Sequence, residues 1–202
     1  VELSSKSQIV LRQRRELAEL VGFETRNKFE IFGPDGAPIG FAAEQGSGLA
    51  AFLARSFLGH WRSFEIHVFD AARQLVLIAR HPWRFFFQRL EVGTADGRPL
   101  GALQQRFSIL SKRFDVEGPT GGVLMTVSSP LWKPWTFPFQ RRGLDAAFVR
   151  KRWSGLLREA FTDADNFQIE FTDPSLGEEE RALLLAAGLF IDLQYFERKA
   201  RS

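Results

Sequence analysis

The chain has 202 residues, 45% hydrophobic and 25% charged, which suits one domain with a sizeable core. A formal net charge of +3 is too small to point to nucleic acid by itself, so nucleic acid is not an expected partner. The absence of cysteine excludes disulfides, thiolate metal sites, thiol nucleophiles and S-acyl anchors together.

Phenylalanine supplies 21 residues against a single tyrosine, and such β-favouring rings point to a sheet-rich interior with wide spaces to fill. Residues 1–7 read as a flexible start, and Ser4 to Arg15 is too polar and basic for a signal peptide. Arg12 to Val21 has the spacing of a short amphipathic helix that stops at Gly22.

A hairpin pattern then recurs. "FEIFGPDGAPIG" starts at Phe29, "LEVGTADGRPLG" at Leu90 and "FDVEGPTGGVLM" at Phe114, and each reaches glycine seven residues later, at Gly36, Gly97 and Gly121. "FEIHVFDAARQLVLIAR", from Phe64, keeps that spacing with Ala71 in the glycine's place. The pattern predicts a strand, a tight turn of Asp-Gly type and a returning strand. Pro38 and Pro99 imply that the second arm begins late, because proline cannot donate to a ladder. "WTFPFQ", "AAFVRKRW" and "NFQIEF" continue the series, for roughly ten to twelve strands. A meander of that length is most stable when it closes and loses its edges.

The last segment reads as a helix opened by Asp173 and Pro174, with Ser175 and Glu178 as an alternative capping box. Ala182 to Phe196 is apolar on nearly all sides except at Asp192 and Gln194. Such a helix is buried, in lipid or in a core. Fifteen residues span only about 22 Å, against about 30 Å of bilayer hydrocarbon. A plug through a phenylalanine-rich barrel and a membrane contact are both open at this level. The expected fold is thus mainly β with helices, a closed antiparallel barrel around a buried C-terminal helix. It is one domain over 1–202, with strands across 8–172, a short helix near 12–21, the central helix over 173–197 and a basic tail at 198–202.

Functional signals are sparser. Arg141, Arg142, Arg150, Lys151 and Arg152 crowd one segment, and Arg198, Lys199 and Arg201 end the chain. Both clusters suit an anionic lipid surface or simply solvent. Trp83, Trp132 and Trp135 stand beside basic residues and proline, as interfacial anchors or as barrel-rim packing. His60, His67 and His81 lack zinc-site spacing, and Ser63 and Ser128 lack a nucleophile elbow. "GPTGGVLM" lacks the lysine of a phosphate loop, so no catalytic constellation is expected.

"LVGFETRNKFEIFGPDGAPIGFAAE" near the start and "WSGLLREAFTDADNFQIEF…LFIDLQYFE" near the end resemble the phospholipid scramblase family. The resemblance covers about residues 8 to 197. "RSFLGHWR" and "HPWRFFFQ" replace the cysteine-rich stretches of animal members, which suggests a divergent, bacterial relative. The resemblance implies a tubby-like, twelve-stranded barrel around a central helix, and calcium-stimulated, ATP-independent movement of phospholipids between leaflets. It implies a cytoplasmic, peripheral or membrane-associated protein whose partner is an anionic phospholipid surface. The basic cluster Arg141, Arg142, Arg150, Lys151 and Arg152, with Trp132 and Trp135, supplies the expected lipid-binding positions. A tubby-like phosphoinositide- or protein-binding scaffold, or a nucleic-acid module, is the alternative.

The family's calcium segment would begin at Asp163 and continue through Asp165, Phe167, Ile169 and Phe171 to the vicinity of Asp173. Calcium takes about 6–8 oxygens, yet Phe167, Ile169 and Phe171 carry none and alternate with Asn166, Gln168 and Glu170 like a half-buried strand. An acidic turn feeding a strand and a weak calcium site at Asp163 and Asp165 are the two readings.

Overall fold

The computed structural model describes residues 2–14, 28–45, 63–133, 135–152 and 166–196. Twelve antiparallel strands close into a barrel. They are β1 (Gln8–Arg14), β2 (Lys28–Phe32), β3 (Pro38–Glu44), β4 (Phe64–Asp70), β5 (Leu75–His81), β6 (Arg89–Thr94), β7 (Pro99–Arg106), β8 (Ser111–Glu117), β9 (Val123–Pro130), β10 (Thr136–Arg141), β11 (Leu144–Arg152) and β12 (Asn166–Phe171). Each strand pairs with its sequence neighbour, and β1 closes the ring by pairing with β12 from Gln8↔Glu170 to Arg12↔Asn166. Arg12, Gln13 and Arg14 therefore belong to a strand and open no helix, because pairing on both sides outweighs the helical spacing. Positions 15–21 of the expected helix lie outside the described residues.

The recurring hairpins share one turn. Gly36, Gly97 and Gly121 have φ of 78°, 90° and 85°, and each donates its N–H to the carbonyl three residues back. The register slips at each, between Ile31/Phe32, Val92/Gly93 and Val116/Glu117. This is a type I turn followed by a left-handed residue that forms a bulge. In the β4–β5 hairpin that position is Arg73 (φ 62°), which donates to Asp70. The true repeat there starts at buried Ile66, and Ala71 is not the glycine's equivalent.

One helix, α1 (Glu178–Ile191), threads the barrel, and a π-helical turn follows over Asp192–Phe196. It begins later than the sequence suggests. Asp173 caps a tight turn by accepting from the N–H and hydroxyl of Ser175, and Gly177 precedes the helix with its N–H on Glu180. Consecutive glutamates then tie the helix entrance to separate parts of the wall. Glu178 accepts the Leu3 N–H, Glu179 binds Arg98 of the β6–β7 turn at 2.6 Å, and Glu180 lies 3.3 Å from Arg141. Their charge also suits a helix N-terminus. Arg181 is buried and donates to the carbonyls of Leu176, Leu3 and Lys6, with its guanidinium over the Phe171 ring.

From Leu183 to Ile191 every residue is buried. The sheath around α1 comes from alternate inward positions such as Leu11, Phe29, Ile66, Leu90, Phe114, Phe139, Phe167 and Ile169. Two glycines set the fit. A Cβ at Gly101 would stand 2.1 Å from the Glu117 carbonyl oxygen of the paired strand. A Cβ at Gly188 would meet only side-chain ends, Ile169 Cδ1 at 2.7 Å and Leu11 Cδ1 at 3.0 Å. Backbone cannot yield without breaking a ladder, whereas methyl ends shift. Gly101→Ala should therefore cost about 2–4 kcal/mol and Gly188→Ala about 1 kcal/mol in urea unfolding. Equal costs would contradict the close approach at β7–β8.

Candidate membrane-contact surface

The meander gives the barrel two unlike ends. At one, the strands return through tight turns at 33–37, 71–74, 95–98, 118–122 and 142–143, and α1 enters beside them. Asp35, Asp96, Asp173 and the three glutamates of the first helical turn gather there. At the other, β5–β6, β7–β8 and β9–β10 are joined by residues 82–88, 107–110 and 131–135, read "PWRFFFQ", "FSIL" and "LWKPW". These loops hold two cations, Arg84 and Lys133, and no carboxylate.

Nine of the eleven exposed large hydrophobic residues among the described residues lie in these loops: Trp83, Phe85, Phe86 and Phe87, then Phe107, Ile109 and Leu110, then Leu131 and Trp132. The ladders continue into the loops, with Gln105 N–H donating to Gln88 and Leu131 N–H to Leu110. The Trp83 and Phe85 rings meet edge-on at 4.5 Å. The sequence signal was present in "HPWRFFFQ", but "FSIL" carries no mark that separates it from a strand.

The expected basic cluster is not one patch. Thr136 pairs with Arg150 and Arg141 with Leu144, so β11 carries Lys151 and Arg152 to the loop end, leaving Arg141 and Arg142 at the tight-turn end. The nine residues of β11 separate the ends, about 27 Å from first to last. Arg142 (φ 51°) and Gly143 (φ 81°) form a two-residue turn of the type that needs two left-handed residues. Arg141 is engaged by Asp173 at 3.7 Å and by Glu180, and Arg150 is paired with Glu170. Lys151 sits over Trp135, 5.6 Å from the ring centre, and exposed Arg152 stands beside it. Trp132 is 73% exposed, whereas Trp135 packs on the core as rim filling. The loop end thus collects Lys151, Arg152, Trp132 and Trp135 with Arg84 and Lys133.

Of the calcium segment, Asp163 and Asp165 lie outside the described residues. Phe167, Ile169 and Phe171 point into the core, and their strand is paired on both sides. Asn166 and Phe171 stand about 17 Å apart along β12, while calcium–oxygen contacts are about 2.3–2.6 Å. Asp173 therefore shares no coordination shell with Asn166, the first described residue of the segment. No cluster of three or more potential metal-binding His, Asp or Glu residues occurs among the described residues.

The Asp173 carboxyl is held below the ordinary aspartate range, first by the Ser175 hydroxyl and N–H and then by Arg141. Its folded-state value is depressed, so its stabilising contribution is present above the ordinary range and lost as pH falls through the lowered value. NMR titration of the carboxyl carbon should show a larger upward return in Ser175→Ala than in Arg141→Gln. The reverse order would make the ion pair the main cause.

No helix among the described residues is long and apolar enough to cross a membrane, which says nothing about strands. No solved structure matches the chain. The sequence profile of the family described as Scramblase matches residues 1–198. The chain is 32% identical to human Phospholipid scramblase 1 over 96% of its own length and 64% of that protein's. It is 31% identical to human Phospholipid scramblase 2 over 97% and 69% of the two lengths. It is 26% identical to the Schizosaccharomyces pombe Phospholipid scramblase family protein C343.06c over 97% and 61%. The profile match over nearly all of the sequence, on a closed barrel with a central helix, shows that the chain belongs to the scramblase family.

Proposed function

We propose that this chain binds anionic phospholipid bilayers peripherally and presents the loop end of its barrel to the headgroups. The observation that supports this most is the charge asymmetry. Arg84, Lys133 and Arg152 are exposed at the loop end, where the three fully or largely described connections (82–88, 107–110 and 131–135) hold no carboxylate, while the helix entrance carries Glu178, Glu179 and Glu180. An anionic leaflet attracts the first end and repels the second. Each cation near the surface contributes roughly 1 kcal/mol, so Arg84→Gln/Lys133→Gln/Arg152→Gln should weaken binding to phosphatidylserine vesicles by about a hundredfold. Arg141→Gln/Arg142→Gln should leave vesicle sedimentation unchanged. Loss of binding only in the second variant would place the lipid at the wrong end.

The mammalian relatives are named phospholipid scramblases, and we extend to this chain, as a proposal, the movement of phospholipid between leaflets that the family resemblance implies. A barrel filled by α1 offers no polar route through its own centre, so translocation would proceed at the protein's outer surface or in the bilayer it disturbs. A dithionite-quench assay on proteoliposomes tests it, with headgroup exchange faster than in protein-free vesicles as the expected result. Any calcium stimulation rests on Asp163 and Asp165, and Asp163→Ala/Asp165→Ala should abolish both the stimulation and the calorimetric heat of calcium. Equal heats from the variant and the wild type would end the metal reading.

A further inference from the structure

We propose that the protein docks end-on, with the tips of the β5–β6, β7–β8 and β9–β10 loops entering the bilayer below the headgroups. This rests on the loop end being the lipid-facing surface and adds depth and orientation to it.

Exposed apolar residues are ordinary when scattered, but a cluster at one end marks a contact surface. Phe86, Phe107, Ile109 and Trp132 are 79%, 71%, 75% and 73% exposed, on three separate loops at one rim. Residue type then fixes depth. Indole rings favour the headgroup level because they have a polar edge. Phenylalanine and isoleucine have none, so their burial is completed only where acyl chains begin. Penetration is shallow for a related reason: non-helical loop backbone in hydrocarbon would leave N–H and C=O groups without partners.

The loops suit this use mechanically. At the loop bases Gln88 accepts a backbone bond from Gln105 of β7 and Leu110 accepts one from Leu131 of the β9–β10 loop, so the apolar tips are held at the strand ends before any lipid arrives. Little ordering entropy is then spent on insertion. The occupant follows from the charges among these side chains. Arg84 lies within the β5–β6 loop and Lys133 within the β9–β10 loop, and neither loop has a carboxylate. Apolar tips ringed by cations complement acyl chains beneath anionic headgroups.

The chain has no native cysteine, so single-site labelling is direct. Phe86→Cys, Ile109→Cys and Ala95→Cys would each carry an environment-sensitive fluorophore, Ala95 being an exposed residue of the tight-turn end. On phosphatidylserine/phosphatidylcholine vesicles the first two labels should shift to the blue and be quenched by nitroxide on the upper acyl chain. The third should do neither. The full-length Phe86→Ser/Phe107→Ser/Ile109→Ser variant should lose at least about tenfold in apparent affinity, about 1.4 kcal/mol, with an unchanged unfolding midpoint. If the wild type sediments with vesicles while all labels stay water-like and this variant binds equally well, insertion is overturned and headgroup binding survives. If the wild type fails to sediment at all, the lipid-facing reading falls and insertion falls with it.

Discussion

Everything in this molecule follows from an apolar helix that has to be kept from water. Leu183 to Ile191 present no polar face, and α1 is only fourteen residues long. At about 1.5 Å per residue it reaches about 21 Å, too short for a bilayer and well matched to strands of five to nine residues. The twelve strands supply the sheath, and the sheath needs the helix in turn, because an empty barrel of this circumference would leave large inward side chains facing a void. Helix and sheet stabilise one another, and neither folds alone on this account.

That mutual requirement also orders the two ends. The entrance must hold the first helical turn against the wall, and it does so with charge: three glutamates each reach a different element, and buried Arg181 gathers three carbonyls. Short bulged turns crowd this end. The other end is released from that duty. Three of the connections there, over 82–88, 107–110 and 131–135, carry bulky aromatic or aliphatic residues, and such cations as they hold stand without acids.

Much of the architecture was legible because its turns are stereotyped. Asp35-Gly36 and Asp96-Gly97 mark a left-handed turn position that few residues other than glycine adopt easily, so the hairpins could be read from spacing alone. The Phe64 hairpin was misframed because Arg73 takes that conformation without glycine's signature. The helix start was misplaced because Asp173-Pro174 has the chemistry of a cap, although Asp173 spends its carboxylate on a separate turn around Ser175. Arg12–Arg14 shows tertiary pairing overriding a helical period. The site was less legible for a topological reason. Residues close in sequence across β10 and β11 go to opposite ends of a barrel, so Arg141 and Arg152 separate while Phe86, Ile109 and Trp132 converge. Spacing along a chain cannot disclose such a rim until strand order is known.

The central claim is that α1 stays sheathed while the opposite rim meets lipid. Native-state hydrogen exchange of residues 183–191, with and without phosphatidylserine vesicles, tests it most directly. The account predicts that these amides exchange only through global unfolding and keep that protection when the protein is bound to vesicles. Rapid exchange in solution, or altered protection of the helix together with loosened strands on vesicles, would contradict it.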